Sequence, residues 1–327
     1  MSILVTGSAG HLGEGLMRRL RAQGRAVRGV DIKSSPYTDA VGSIADPEFA
    51  AAAMRGVRQV IHAATLHKPH VATHSYRQFV DTNVAGTLAL LEAALAERVE
   101  AFVFTSTTSA FGAALSPAPG EPAAWIDEDV APVPKNIYGT TKIAAEGLCE
   151  LFHRKHRLPA LVLRTSRFFP EDDDDAAVRS VYGPANAQAN ELLYRRADIE
   201  DVVQAHLCAI ERAPALGFGR YIVSATSPFS RTERAELRRD AAAAVERHYP
   251  HCRELYAAQG WRLFPQLDRI YDNARARRDL GWRPHYDFGH VLDCLREGRD
   301  FRSELAREVG VKGYHAQRFE DMPYPVA

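Results

Sequence analysis

The first half of the chain alternates short apolar runs rich in β-branched residues with longer Ala- and Leu-rich stretches of helical spacing. The short runs predict buried strands, and they read SILVTG, AVRGVD, VRQVIHAA, AFVFTST and PALVLRT. The stretches between them predict helices over Leu12–Gln23, Pro47–Met54, Tyr76–Glu97 and Tyr138–Lys155. This order is typical of an α/β fold with a doubly wound parallel sheet.

The alternation weakens after Arg164, where an acidic run, EDDDD, and a Gly-Pro pair interrupt it. Further on, DIEDVVQAHLCAIER predicts an amphipathic helix and GRYIVSA a strand. We therefore expect residues 1–165 to form one domain, with segments near 198–225 and 265–273 returning to it. Residues 166–327 are expected to form mainly a smaller C-terminal lobe that binds substrate.

Composition narrows the possible partners. The 327 residues contain 41 Lys and Arg and 41 Asp and Glu, so no net charge favours nucleic acid or an anionic membrane. No basic stretch precedes an apolar run at MSILVTG, and no segment approaches the roughly 20 apolar residues of a membrane helix. We expect a cytoplasmic protein. The widely spaced Cys149, Cys208, Cys252 and Cys294 indicate neither disulfides nor a zinc site.

A glycine-rich turn follows the first predicted strand and opens the first helix. It reads Gly7-Ser-Ala-Gly10-His-Leu-Gly13, and glycines in this context let a backbone turn approach a pyrophosphate. Asp31 ends the second strand about twenty residues later, where a carboxylate can accept both adenosine ribose hydroxyls. The pattern favours NAD over NADP, although Arg28 and Lys33 could soften this preference.

A candidate proton-transfer group lies at the start of the fourth long helix. Tyr138 and Lys142 are four residues apart, so both side chains emerge on one helix face. A neighbouring ammonium would stabilise the phenolate and lower the pKa of Tyr138. Thr107 ends a strand, where open α/β sheets bind ligands, and could orient the same alcohol. The alternatives are an aromatic residue at a helix start, a surface lysine and a strand-end hydroxyl.

These motifs resemble the extended short-chain dehydrogenase/reductase superfamily, and in particular its NAD-dependent epimerase/dehydratase family. The resemblance is carried by TGSAGHLG, VIHAA (60–64), NVAGT (83–87), FVFTSTTSAFG (102–112), YGTTK (138–142) and DNARARRDLGW (272–282). It implies a Rossmann-type fold, NAD as cofactor, and Tyr138, Lys142 and Thr107 as catalytic residues. It also implies a homodimer in which the helices over 76–97 and 138–155 pair as a four-helix bundle.

The cofactor site implied by the motifs and the resemblance includes Tyr138 and Lys142. Its other expected members are Gly7, Gly10, His11, Leu12, Gly13, Asp31, Ser43, Ile44, Ala63, Ala64, Thr65, Asn83 and Thr105.

The chain departs from the family pattern at three places. Thr107 is followed by Thr108 and Ser109 instead of an Asp-Glu pair, which disfavours dehydration. Ser43 replaces the first carboxylate of the adenine-side pattern GD-x-x-D. The segment that resembles LRxxN carries Arg167 in place of Asn, with only a short interval before the helix at DIEDVVQAHL. A nucleotide-sugar substrate is therefore not assured.

Candidate substrate contacts are His67 and His70, in the loop after a strand, together with Thr108, Ser109 and Arg167. Arg167 could belong to an anion pocket with Arg164, Arg195 and Arg196, or these arginines could form surface ion pairs. We expect no metal site, because the loop leaves the histidine geometry undefined. The C-terminal KGYH and PYP segments could close over a neighbouring site or form a packed tail.

The sequence therefore predicts an enzyme that transfers a hydride reversibly between NAD and a secondary alcohol of a sugar or sugar-like small molecule. One alternative is a nucleotide-sugar 4-epimerase similar to UDP-glucose 4-epimerase. An alternative of another class is a non-catalytic NAD-sensing protein, against which the intact Tyr138 and Lys142 spacing argues.

Overall fold

A computed structural model describes residues 2–313 and residue 315. Among them, seven parallel strands form one sheet in the order β3-β2-β1-β4-β5-β7-β8. The strands are β1 (Ile3–Thr6), β2 (Val27–Asp31), β3 (Ala40–Val41), β4 (Gln59–His62), β5 (Ala101–Thr107), β6 (Ala124–Ile126), β7 (Ala160–Thr165), β8 (Phe218–Val223) and β9 (Arg269–Tyr271). The predicted doubly wound α/β sheet is confirmed, and its strand order reverses between β1 and β4.

Helices cover both faces of this sheet and build the C-terminal region. They are α1 (His11–Ala22), α2 (Pro47–Met54), α3 (Tyr76–Phe79), α4 (Gly86–Ala96), α5 (Ile137–His156), α6 (Ala176–Val181), α7 (Pro184–Glu191), α8 (Ile199–Leu216), α9 (Arg234–Arg239), α10 (Ala241–His248), α11 (Cys252–Ala258), α12 (Ala274–Leu280), α13 (Phe288–Arg296) and α14 (Glu304–Val309). The helix predicted over Tyr76–Glu97 is α3 and α4 joined by a π-helical turn over Val80–Ala85.

Two apolar cores sandwich the sheet. The first joins α1 and α8 to one face, with Leu16, Val203 and Ile210 fully or almost fully buried. The second joins α2, α4 and α5 to the opposite face, with Leu90 and Cys149 fully buried. Helices on both faces bury the strands completely, which is why the strands read as continuous apolar runs.

The residues after β7 build a third apolar core from the later helices, with Leu237, Ile270 and Phe288 at its centre. Strand β8 returns to the edge of the main sheet beside β7, and α8 packs beneath it. In the segment near 265–273, β9 pairs with β6, which lies within residues 1–165, in a separate two-stranded sheet. The division at residue 165 stays a prediction. Tyr314 and the PYP segment lie outside the described residues.

The continuous helix Tyr76–Ala96 differs from the expectation that no segment approaches a membrane span. It has 21 residues and a mean hydropathy of 1.3, enough in length and composition alone to cross a bilayer. Half of its apolar window is buried inside the structure, with Leu90, Leu91 and Ala94 in the second sheet core. Core helices of compact proteins have the same apolar composition, so the feature is explained by packing.

A buried ion pair anchors α5 to the sheet. Glu146 accepts hydrogen bonds from Arg164 of β7, with Nη2 at 2.7 Å, and from the Ser106 hydroxyl of β5 at 2.6 Å. The side chains of Arg164 and Glu146 are 3% and 2% exposed. Arg220 of β8 also contacts Glu146, at 3.2 Å. One carboxylate therefore joins the helix to strands β5, β7 and β8.

Replacing Glu146 with Gln is expected to lower the free energy of unfolding by about 3–5 kcal/mol, because it leaves the buried Arg164 guanidinium without a counter-charge. Urea denaturation followed by circular dichroism measures the change. Glu150→Gln is the matched control one turn further along α5, since its carboxylate is 39% exposed and pairs with Arg220. It should cost less than about 1 kcal/mol. Equal losses in the two variants would contradict the prediction.

Candidate active site

A cavity of about 900 Å³ opens at the carboxyl ends of the strands, across the point where the strand order reverses. Open α/β sheets bind ligands at this place. It brings together the residues predicted from sequence except Asn83: Gly7, Gly10, His11, Leu12, Gly13, Asp31, Ser43, Ile44, Ala63, Ala64, Thr65, His67, His70, Thr105, Thr107, Thr108, Ser109, Tyr138, Lys142 and Arg167.

The glycine turn forms one end of this cavity. Gly7 has φ +75°, and a Cβ there would lie 2.8 Å from the backbone nitrogen of Ala64. A Cβ at Gly13 would lie 1.9 Å from the carbonyl oxygen of Gly7. Only glycine fits at either position, and the turn leads directly into α1 at His11. The result is a backbone cradle that fits a pyrophosphate at a helix N-terminus.

Asp31 lies against this cradle. Its Oδ2 accepts the Ala9 N–H at 3.0 Å and its Oδ1 accepts the Lys33 N–H at 2.9 Å. The carboxylate is thus held beside the glycine turn, where an adenosine ribose would lie next to the pyrophosphate. Arg28 points its guanidinium at the carbonyl oxygen of Ala53, at 2.7 Å, and not at Asp31.

Ser43 and Ile44, which the sequence pattern places on the adenine side, also line the cavity. The Ser43 hydroxyl accepts the Ala45 N–H at 3.2 Å, so it serves the local turn. Asp46, the remaining carboxylate of the GD-x-x-D pattern, caps α2 by accepting the Glu48 N–H at 2.9 Å. The pattern therefore shapes the backbone around the adenine side.

Tyr138 lies in the first turn of α5, which begins after the Asn136 cap. Its side chain lies near Thr107, at the end of β5. Thr107 Oγ1 accepts the Ser109 N–H at 3.0 Å, which holds the hydroxyl toward the cavity. Burial raises the pKa of Tyr138 to about 12, against the smaller effect of the Thr107 hydrogen bond.

Lys142 lies one turn further along α5 and is buried. Its Nζ lies 4.1 Å from the centre of the Phe104 ring. Burial lowers the pKa of Lys142 to about 7, although the Glu146 carboxylate opposes this shift. The expectation that Lys142 lowers the pKa of Tyr138 is therefore wrong for the protein without ligands, because desolvation dominates at both residues.

Asn83 lies behind the cavity wall. Its Oδ1 accepts the Leu66 N–H at 2.8 Å, and its Nδ2 donates to Thr141 Oγ1 at 3.0 Å. The Thr65 hydroxyl also donates to Oδ1 of Asn83, at 2.9 Å. Asn83 was predicted to contact the cofactor. In the structure it ties the loop after β4 to the helix that carries Tyr138.

The strand-end hydroxyls differ in their partners. Thr105 Oγ1 is 2.8 Å from Nε2 of His206, on α8. Thr108 and Ser109 belong to the 3₁₀ turn Thr108–Ala110 that follows Thr107. Neither of these two positions carries a carboxylate.

Arg167 lines the substrate end of the cavity, but its guanidinium already has carboxylate partners. Nη1 lies 2.6 Å from Asp173 and Nη2 lies 3.0 Å from Asp174. Arg195 and Arg196 pair with the buried carboxylate of Glu191, whose pKa they help hold low. All three arginines therefore form ion pairs, Arg167 with the acidic run and Arg196 with the buried Glu191.

The structure adds residues that the motifs did not identify. Ser166, directly after β7, lines the cavity and is 2% exposed, and its Oγ has no hydrogen-bond partner. The sequence signal that could have identified Ser166 is its position as a polar residue directly after a predicted strand. Glu171, which no motif identified, has its Oε1 2.9 Å from Nε2 of His11, a residue of the predicted cofactor site. No sequence signal links residues so far apart. In the described part of the chain, no cluster of His, Cys, Asp or Glu is arranged to hold a metal.

Comparisons with known proteins agree with this architecture. UDP-glucose 4-epimerase of Rhizobium meliloti is 31% identical over 172 residues, covering 50% of this chain and 50% of that protein. The 3 beta-hydroxysteroid dehydrogenase/Delta 5-->4-isomerase of Mycobacterium tuberculosis is 25% identical over 341 residues, covering 90% and 89%. The chain spans about half the length of the first curated relatives it matches.

Among solved structures, a short-chain dehydrogenase/reductase superfamily protein from Agrobacterium tumefaciens with bound NAD has the same fold. Its TM-score is 0.63 at 24% sequence identity, covering 94% of this chain and 99% of that one. The model of the NAD dependent epimerase/dehydratase family matches residues 3–223, more than half of the chain. The protein therefore belongs to the NAD-dependent epimerase/dehydratase family.

Proposed function

We propose that the protein uses NAD to oxidise and reduce a secondary alcohol of a sugar or sugar-like substrate, as a dehydrogenase or as an epimerase. The observation that carries the proposal is that Tyr138 and Thr107, with Lys142 one turn away, line the same cavity as the glycine cradle. The side chains of Tyr138, Thr107 and Lys142, which suit a carbinol, therefore lie in the same cavity as a glycine cradle that suits a dinucleotide. A non-catalytic NAD sensor has no use for that arrangement.

NAD, when bound, accepts or returns the hydride, and the chain supplies binding, orientation and proton transfer. The cradle at Gly7 and Gly13 and the carboxylate of Asp31 would hold its pyrophosphate and adenosine ribose, and Lys142 its nicotinamide ribose. Thr107 orients the substrate hydroxyl, and Tyr138 accepts or returns its proton. A phenol with a pKa of about 12 is protonated at neutral pH. It is therefore poised to donate to a carbonyl oxygen.

A nucleotide-sugar 4-epimerase is the second candidate, favoured by the similarity to the Rhizobium meliloti enzyme. Such an enzyme would retain NAD and release no net NADH. The carboxylates already paired with Arg167 weaken this candidate, because they compete with a substrate diphosphate for that guanidinium. Dehydration is disfavoured by the hydroxyls of Thr108 and Ser109. Assaying sugars, sugar acids and nucleotide sugars, with NADH and epimer formation both measured, separates the candidates.

We also propose a cytoplasmic homodimer. The exposed apolar side chains Tyr76 and Val80 on the helix Tyr76–Ala96, and Leu151 on α5, support pairing of these two helices across a two-fold axis.

Tyr138→Phe is expected to lower kcat by about 100- to 10,000-fold, because it removes the proton-transfer hydroxyl and keeps the ring. NAD binding, measured by calorimetry, should change little. Tyr249→Phe, at a half-buried tyrosine outside the cavity, is the control and should leave kcat unchanged. A Tyr138→Phe variant as active as the wild type on every substrate oxidised would contradict the proposed function.

Asp31→Asn is expected to weaken NAD binding by about 10- to 100-fold, the effect of losing charged hydrogen bonds to the ribose. The amide still accepts one backbone N–H, so the turn should persist. NADP should bind the variant better than the wild type, because the carboxylate no longer repels a 2′-phosphate. Calorimetric titration with both dinucleotides measures this. Asp39→Asn is the nearby control, and an unchanged NAD to NADP ratio in Asp31→Asn would argue against the assigned role.

Lys142 should make the stability of the cofactor-free protein depend on pH. Its folded pKa of about 7 lies below that of an exposed lysine, near 10.4, so between these values the unfolded chain binds the extra proton. The free energy of unfolding should therefore rise with pH, by up to about 1 kcal/mol per unit between pH 7 and 9.

Lys142→Met should remove this slope. Urea denaturation at pH 6, 7, 8 and 9 measures it in both proteins. Lys135→Met, at an exposed lysine, should retain the wild-type slope. Identical slopes in the wild type and Lys142→Met would show that the buried amine keeps an ordinary pKa.

A further inference from the structure

His206 is a fully buried histidine on α8, the helix that packs against β5. Its Nδ1 lies 2.7 Å from the carbonyl oxygen of Val202, one turn earlier on the same helix. Its Nε2 lies 2.8 Å from Oγ1 of Thr105, on β5. Both ring nitrogens therefore have a partner, and the imidazole joins α8 to the strand that ends at Thr107.

The two partners of the imidazole determine where its proton lies. A carbonyl oxygen only accepts hydrogen bonds, so Nδ1 carries the proton and donates it to the Val202 carbonyl. Burial lowers the pKa of His206 to about 4, against the smaller effect of this backbone hydrogen bond, so the ring is neutral at pH 7. Nε2 then has a lone pair and accepts the hydroxyl proton of Thr105.

The hydroxyl of Thr105 consequently presents lone pairs to the cavity. Its single proton is directed at His206, on the α8 side of the sheet. Thr105 is half-buried and lines the cavity, so its oxygen can accept a hydrogen bond from a ligand. A ligand group opposite this oxygen has to be a donor. An amide N–H fits, whereas a carbonyl oxygen, a methyl group or a carboxylate does not.

The place of Thr105 in the sheet indicates which part of NAD it would meet. The glycine turn and Asp31 would hold the pyrophosphate and the adenosine ribose over β1 and β2, so the nicotinamide half would extend over β4 and β5. Thr105 precedes Thr107 by two residues, about 6–7 Å along the strand. Hydride transfer requires the alcohol at Thr107 to meet C4 of the nicotinamide ring, and the carboxamide is attached to the adjacent ring carbon.

We propose that His206 is a positioning residue that fixes the Thr105 hydroxyl as a hydrogen-bond acceptor for the carboxamide NH2 of NAD. From the proposed function the inference takes only the end of the cavity at which the nicotinamide lies. His206 lies behind the cavity wall and acts through Thr105. The consequence is that the site discriminates against dinucleotides whose nicotinamide substituent has no N–H, because the acceptor oxygen then has no donor opposite it.

Three dinucleotides test the assignment by calorimetric titration, without turnover. NAD carries the carboxamide, and 3-acetylpyridine adenine dinucleotide has a methyl group in place of its NH2. ADP-ribose retains both ribose rings and lacks the nicotinamide ring. The wild type should bind NAD at least about 5-fold more tightly than the acetylpyridine dinucleotide, the lower range for a buried acceptor left without a donor.

His206→Phe keeps a ring between α8 and β5 but removes the nitrogen that accepts the Thr105 proton. The hydroxyl can then turn toward the cavity and donate to an acetyl oxygen. The preference for NAD over the acetylpyridine dinucleotide should therefore fall below about 2-fold. Affinity for ADP-ribose should not change, because the ribose rings do not depend on Thr105.

Three further variants separate positioning from packing. His206→Gln supplies an amide oxygen that can accept the Thr105 proton and should restore part of the preference for NAD. Thr105→Val keeps the shape of the side chain without the hydroxyl and should abolish the preference by itself. His290→Phe makes the same change at a half-buried histidine outside the cavity, whose Nε2 lies 3.1 Å from the Phe301 carbonyl oxygen. It should leave the preference unchanged.

A wild type that binds NAD and the acetylpyridine dinucleotide equally would overturn the assignment. So would a full preference for NAD in His206→Phe or in Thr105→Val. An equal loss of affinity for ADP-ribose and NAD in His206→Phe would also overturn it, because the partner of Thr105 would then be a ribose hydroxyl. The proposed function is tested separately, by turnover in Tyr138→Phe. Full activity of that variant would contradict the proposed function and leave the binding ratios, and with them the role of His206, unaffected.

Discussion

The buried carboxylate of Glu146 is the interaction on which the geometry of the site depends. A carboxylate that is 2% exposed is stable only beside a counter-charge and hydrogen-bond donors. Arg164 and Ser106 supply them from neighbouring strands. These partners fix both the rotation of α5 and its position along the sheet. Tyr138, two turns earlier on the helix, is consequently placed at the end of β5 next to Thr107.

The same exclusion of water determines the state of the proton-transfer groups. Without ligands, Lys142 is close to losing its proton and Tyr138 keeps its own. A positive charge beside the phenol therefore has to be stabilised within the cavity, and Glu146 is the nearest carboxylate along the helix. The ion pair that anchors α5 thus also influences the electrostatics at the reacting alcohol.

At the end of the cavity where Arg167 lies, the charged side chains pair with one another. Asp173 and Asp174 occupy the guanidinium of Arg167, and Lys68 forms an ion pair with Asp174. The acidic run that interrupts the sequence pattern is therefore part of a network that holds the loop after β7 against the loop after β4. The residues that follow Thr107 on the cavity wall, Thr108 and Ser109, carry hydroxyls.

Much of the fold and half of the chemistry were readable from local sequence. Apolar runs at strand length, helical spacing between them, the glycine turn and Asp31 depend on residues that are neighbours in the chain or obey a fixed repeat, so they predict the doubly wound sheet and its cofactor end. The spacing of Tyr138 and Lys142 is equally local. The direction of their pKa shifts is not, because desolvation depends on every element packed around them. Other features depend on residues that are distant in sequence. They are the ion pairs of Arg167, the location of Asn83 behind the cavity wall and the contact of His11 with Glu171. Only the tertiary structure decided these features, since free energies of charge burial depend on distances that no sequence period encodes.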